Sequence, residues 1–225
     1  MRAMARTVDP VAHAARREAF LDAAQQIIAT RGYDALSIQD VLSATGASKG
    51  AFYHYFDGKA ALLDALVLRM VDTAGPHLTT DGSALERLDA VFGGLADLKA
   101  GQRDLIIGMA RVWMSDENAV VREHFRRRAI TALTPILADI IRQGARERIF
   151  AVTDPDATAA VFAALVLGTN EAAMSMIGQE LTFTQVSARL GAFGEAFERV
   201  LGVAPGALRF DRRLDVVREW FDAIA

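Results

Sequence analysis

The stretch Leu36–Leu63, LSIQDVLSATGASKGAFYHYFDGKAALL, constrains the fold more than any other part of the chain, because it specifies two short helices separated by a glycine turn. Ser37 precedes an apolar stripe of Ile38, Val41 and Leu42, and its hydroxyl can cap a helix running to about Ala44. Gly46 stands where the chain must turn sharply, since a residue without Cβ takes positive φ at no steric cost. Ser48 can cap a second helix, Lys49 to about Tyr55, on which Phe52 and Phe56 are four apart, share one face and are read as core. The rest of that helix, Lys49, Gly50, Ala51, Tyr53, His54 and Tyr55, offers a cation, small residues and hydrogen-bonding rings. A DNA major groove admits such a face, and the positive end of a helix dipole favours phosphate. This is the pattern of a helix-turn-helix DNA reader.

Periodicity and breakers organise the remainder. A polar, Arg-containing arm to about residue 15 precedes a first helix, Arg16 to Arg31, with Phe20, Ala23, Ala24, Ile27 and Ile28 at helical spacing. A helix from Gly58 to Thr73 follows the reader and is closed by Gly75-Pro76, which marks a domain boundary. Further helices are expected at about 83–99, 103–115, 117–147, 155–178, 184–201 and 211–224, with Pro135 bending the longest. No alternating strand pattern competes. The expected architecture is all-α: an arm (1–15), an N-terminal three-helix helix-turn-helix domain (16–75) and a C-terminal helical ligand-binding and dimerisation domain (76–225).

The chain resembles the tetracycline-repressor (TetR) family of bacterial transcriptional regulators. The matching pattern runs from Arg31-Gly32-Tyr33 through Leu36-Ser37-Ile38 and Thr45-Gly46-Ala47-Ser48-Lys49-Gly50 to Phe52-Tyr53-His54-Tyr55-Phe56, followed by Lys59, Leu62 and Leu63. It covers roughly residues 16 to 70; beyond them only the all-helical pattern agrees, and Gly58 departs from the polar residue usual at its place. The resemblance implies phosphate contacts from Ser37, Ser48, Tyr53 and Lys59. It implies base or neighbouring-phosphate contacts from Gln39, Lys49, Gly50, Ala51, His54 and Tyr55. It also points to a homodimer on double-stranded DNA with a near-palindromic operator, and to a small, largely apolar effector that releases the DNA.

Charge neither helps nor sinks this reading. The chain carries a net charge of −3, yet residues 1–70 hold eight Lys/Arg against seven Asp/Glu, so a DNA partner must be argued from local placement. The absence of cysteine excludes disulfides and thiol catalysis and fits a reducing compartment. No signal-peptide core is present, and the longest apolar run, Ala157 to Gly168, is shorter than the ~20 residues a bilayer span needs. The expectation is a cytoplasmic protein without a membrane partner. His13, His54, His77 and His124 are scattered, so no metal is expected, nor any cofactor. No phosphate-cradling glycine loop or Ser-His-Asp arrangement suggests an enzyme.

The nearly all-apolar 155–178 helix and the 184–201 helix, with Leu190, Phe193, Phe197 and Val200 beside Gly191 and Gly194, are expected to form a dimeric four-helix bundle. Phe92, Met109, Trp113, Met114, Phe125 and Met174 could wall an effector pocket in which His124, Arg128 and Asn170 orient the ligand. The competing reading is ordinary core for the apolar set and a solvated face for Arg126-Arg127-Arg128. Arg2, Arg6, Arg16 and Arg17 could enter a minor groove. An alternative is a regulator of the same fold that works without a ligand, or through a protein partner docked on the amphipathic C-terminal helix, with Leu214, Val217, Trp220 and Phe221 on one face.

Overall fold

In the computed structural model, residues 10–74, 81–177, 179–210 and 214–224 are described, and every regular element among them is helical. Helix α1 (Pro10–Arg31) starts earlier than expected, taking in part of the arm. The physical reason is local: proline has its φ preset for a first helical position, and the alanine-rich residues after it propagate a helix well. The arginines Arg2 and Arg6 lie outside the described residues.

Helices α2 (Ile38–Thr45) and α3 (Lys49–Tyr53) follow, each started as its serine dictates. The Ser37 hydroxyl accepts the Asp40 amide at 3.1 Å and the Ser48 hydroxyl accepts that of Ala51 at 3.2 Å. Each cap contributes about 1 kcal/mol. Gly46 ends α2 at φ +63°, its amide returning to the Leu42 carbonyl. Helix α4 (Lys59–Ala74) then crosses back over α1, where the Arg69 guanidinium donates to Glu18 (3.0 Å), Asp22 (2.7 Å) and Gln25 (2.7 Å).

Helices α5 (Ala84–Gly101), α6 (Arg103–Trp113), α7 (Ala119–Arg146), α8 (Pro155–Met176), α9 (Phe183–Leu201) and α10 (Leu214–Ile224) complete the order, with a short 3-10 turn at Asp116–Asn118 before α7. Helix α7 runs unbroken through Pro135, which faces solvent. Capping boxes start α5 (Ser83 with Glu86) and α9 (Thr182 with Gln185), and the Asp154 carboxylate caps α8.

Packing divides these elements into two cores. The first holds Phe20, Leu21, Ile28, Val41, Phe52, Phe56, Leu62 and Leu66, and is completed by Leu105, Met109 and Trp113 of α6 and Val121 of α7. The second holds Leu88, Leu133, Leu137, Ile141, Phe162, Phe197 and Leu201. Helix α4 serves both, giving Leu62 to Val67 to the first and Val71 to the second.

The N-terminal helices meet the rest of the chain closely where α6 packs on α1, within the first core. A Cβ on Gly108 would lie 2.2 Å from the Ile28 carbonyl oxygen, so only glycine permits this approach. At the same place the Tyr33 amide donates to the Gly108 carbonyl at 3.1 Å, a backbone bond between the two halves.

Helix α8 corrects one expectation. Its 22 residues include an 18-residue stretch with a mean hydropathy of 1.4, 22% of it buried, which by length and composition alone reaches that of a membrane span. The apolar run Ala157–Gly168 understated it, because the helix continues through Thr169, Asn170 and Glu171 to Met176. One side, Ala159, Phe162, Ala163 and Leu167, packs into the second core.

Candidate nucleic-acid interface

The interface is built on the first core. Phe52 is 0% and Phe56 4% exposed, and their rings meet each other at 5.6 Å and Phe20 edge-on at 5.5 and 6.2 Å. Burying each ring fixes the rotation of α3 about its axis, which leaves Lys49, Gly50, Tyr53 and His54 facing solvent. Tyr53 is 45% exposed, with Lys49 Nζ 6.0 Å from its ring. A Cβ added to Gly50 would meet nothing, so this surface is open to close approach. Gln39, Ser37 and Ser48 are exposed beside it at the starts of the two helices.

Three of the expected contact residues are placed differently. Lys59 donates its ammonium to the Tyr33 carbonyl at 3.1 Å and lies 4.0 Å from the centre of the Tyr33 ring. Burial lowers its pKa, with Asp34 opposing, so the chain itself already engages this cation. Tyr55 is half-buried, its ring 4.5 Å from His13 and 5.7 Å from Phe20, and acts as packing on the first core. Ala51 is half-buried as well. The reader helix is also shorter than expected: it ends at Tyr53, and His54 and Tyr55 follow in a turn held by their amides on the Gly50 and Phe52 carbonyls.

Sequence reasoning missed two features of the site. Asp40 accepts from Ser37 and pairs with Arg31 at 3.1 Å; these hydrogen bonds lower its pKa and tie α1 to the start of α2. His13, assigned to the arm, belongs to α1 and sits edge-on to His54 at 5.6 Å.

The residues expected to wall an effector pocket are not gathered into one cavity. Met109 and Trp113 are buried in the first core, against which Met174 also packs. Phe125 touches both cores, edge-on to Trp113 at 5.6 Å, and Phe92 packs against Phe162, Phe197 and Phe210 in the second. His124 and Arg128 pair across α7 with Asp64 (2.9 Å) and Asp72 (2.8 Å) of α4. Met114 is 43% exposed and Asn170 half-buried. A groove of about 430 Å³ opens elsewhere, between the start of α8 and the end of α9, lined by Val152, Asp154, Ala157, Val161 and Val200 among others. Among the described residues no group of three His, Cys, Asp or Glu is placed to hold a metal ion.

Residues 20–66 match the family described as bacterial regulatory proteins, tetR family. The chain is 33% identical over 123 residues to the HTH-type transcriptional repressor KstR2 of Rhodococcus jostii (strain RHA1), covering 48% of this chain and 60% of that protein. It is 39% identical over 92 residues to a transcriptional regulator of Lactococcus lactis subsp. lactis, covering 37% of this chain and 47% of the relative. The matched part thus spans about half the length of these curated relatives. Among solved structures, a TetR-family transcriptional regulator from Rhodococcus sp. is 26% identical with a TM-score of 0.56, over 84% of this chain and 99% of that one. Salmonella enterica GusR shares the fold at 19% identity and a TM-score of 0.59, over 88% and 100%.

Proposed function

We propose, from the premise that this chain is a member of the TetR family, that it is a dimeric transcriptional repressor which binds a near-palindromic operator and leaves it when a small molecule binds the C-terminal domain. The observation that carries the reading is the solvent face of α3, Lys49, Gly50 and Tyr53, with His54 exposed in the turn that follows, held in fixed rotation by two buried phenylalanines. Lys49 and His54 read base edges, Tyr53, Ser37 and Ser48 hold phosphate, and Gln39 approaches the flanking backbone. Lys59 and Tyr55 act one step back, shaping the turn between α1 and α2 and the end of α3.

The dimer is supported by faces the single chain leaves uncovered. On α8 the exposed residues Ala157, Ala160, Val161 and Ala164 recur at helical spacing, and on α9 Ala188, Gly191 and Ala192 do the same. Small side chains allow close helix approach, and two helices from each chain form a bundle. A two-fold dimer sets two copies of α3 about one DNA turn apart, roughly 34 Å. A ligand that moves α4 changes that spacing, and reversing occupancy from 99:1 to 1:99 takes about 5.5 kcal/mol of differential binding.

Selection of bound sequences from a random DNA pool tests this reading. The wild type enriches a palindrome, Tyr53→Ala loses affinity for every sequence, and Lys49→Ala relaxes base preference. Enrichment of no motif, or of one without two-fold symmetry, overturns it.

A further inference from the structure

Two exposed rings of the reader lean on other rings, and their supports come from different places. Tyr53 stands edge-on to Phe52, its neighbour in α3, at 5.5 Å. His54 lies just past the end of α3, in the turn whose amides return to the Gly50 and Phe52 carbonyls, so the helix does not continue around its side chain. Its ring is flanked by Tyr55, edge-on at 5.3 Å, and by His13 of α1, edge-on at 5.6 Å. His13 in turn lies 4.5 Å from Tyr55, and Tyr55 reaches the fully buried Phe20 at 5.7 Å. The three rings thus close a triangle that is footed on the first core.

The period of α1 accounts for the placement. The buried stripe Ile28, Ile27, Ala24, Leu21 and Phe20, followed toward the N-terminus, passes Arg17, whose guanidinium lies 5.7 Å from the centre of the Phe56 ring, and reaches His13. His13 is half-buried, on the rim of the core beside the exposed His54. Both His13 and Arg17 precede residues 20–66, so the match to the family does not carry this support.

An exposed imidazole past a helix end samples several rotamers, and contact with a base edge requires one of them. A ring held edge-on beside it removes some of the others before DNA arrives, which lowers the ordering cost of binding and sharpens the choice between bases.

We propose that His13 is a positioning residue for base recognition: its ring sets the direction of the His54 imidazole, so that α1 shapes the sequence preference of the reader without touching a base. This rests on the assignment of a base contact to His54 above and names what holds that side chain. Tyr55, packed between the two imidazoles, completes the support.

Full-length wild type, His13→Ala, His13→Phe, His54→Ala and the double variant His13→Ala, His54→Ala are each carried through selection from one random duplex pool. Selection runs below the lowest melting temperature of the set and at about pH 8, where an ordinary imidazole is neutral and a change of charge plays no part. Preferences are compared base pair by base pair. His54→Ala erases the preference at a single position of each half-site. His13→Ala weakens the preference at that same position about threefold and leaves the others unchanged. His13→Phe keeps it, because a flat ring still stands beside His54, and the double variant loses no more than His54→Ala alone. A merely structural role would lower affinity for every sequence alike. The inference is overturned by an unchanged preference in His13→Ala, by a loss spread evenly over the motif, by a loss that His13→Phe does not restore, or by a further loss in the double variant. If His54→Ala shifts no preference, the assignment of His54 falls and this inference with it; if His54→Ala shifts one that His13→Ala leaves intact, this inference alone falls.

Discussion

Around Phe20 and Phe52 the largest side chains are closed to water entirely, whereas the C-terminal half of α5, from Phe92 to Gly101, contains no fully buried residue. The two regions answer different demands. A face that must meet a rigid groove needs one rotation of α3, and dense packing of rings on both sides of Phe52 leaves a single rotation open. In the proposed reading the C-terminal domain accepts and releases a small molecule, and surface not yet buried there leaves free energy available for a ligand. The same contrast separates the contacts that join the halves: backbone against backbone at Gly108, and exposed ion pairs between α4 and α7.

The contrast breaks most visibly at the aromatic cores. Phe52→Ala and Phe162→Ala each remove a ring that is 0% exposed, at a cost of about 3–5 kcal/mol. If the halves hold separately, calorimetry of Phe52→Ala shows an early transition with dimerisation intact, while Phe162→Ala loses the dimer; a single shifted transition in both shows one cooperative unit. Gly108→Ala comes next, at about 1–3 kcal/mol, because its Cβ would fall on the Ile28 carbonyl and force α6 from α1. Operator spacing preference, scored by selection, changes with it.

Ser48→Ala removes the α3 cap and costs about 1 kcal/mol, read as a shift in urea midpoint with unchanged slope. The double variant His124→Ala, Arg128→Ala costs under about 1 kcal/mol, since both pairs are substantially exposed, yet it frees α4 from α7 and weakens ligand-driven release. Smallest is a pH effect at Asp40, whose pKa is lowered from 3.8 by Ser37 and Arg31. A carboxyl with a lowered folded pKa contributes stability above its ordinary value and loses it as pH falls through the folded one. The wild type therefore exceeds Asp40→Asn in urea midpoint by a constant amount above pH of about 4, and the two converge below it.

Much of the reader was legible because its determinants are local: serine caps, Gly46 and the four-residue spacing of Phe52 and Phe56 need only neighbouring residues. What failed was long-range. Leu105, Met109 and Trp113 announce a buried stripe on α6, but the stripe does not say which core receives it, and Met109 and Trp113 were therefore expected beside a ligand. Lys59 and Tyr55 look like DNA contacts because their side chains could make them; Tyr33 and His13, far away in sequence, hold them back. His124 and Arg128 read as free polar groups because their partners, Asp64 and Asp72, lie on another helix.

The hydrogen bond from the Tyr33 amide to the Gly108 carbonyl makes one proton a gauge of the whole molecule. That amide can exchange with deuterium only when α6 parts from the turn after α1, so its protection factor gives the free energy of undocking directly. A ligand that loosens this joint speeds the exchange of one backbone proton before any DNA is present, and a bound operator slows it.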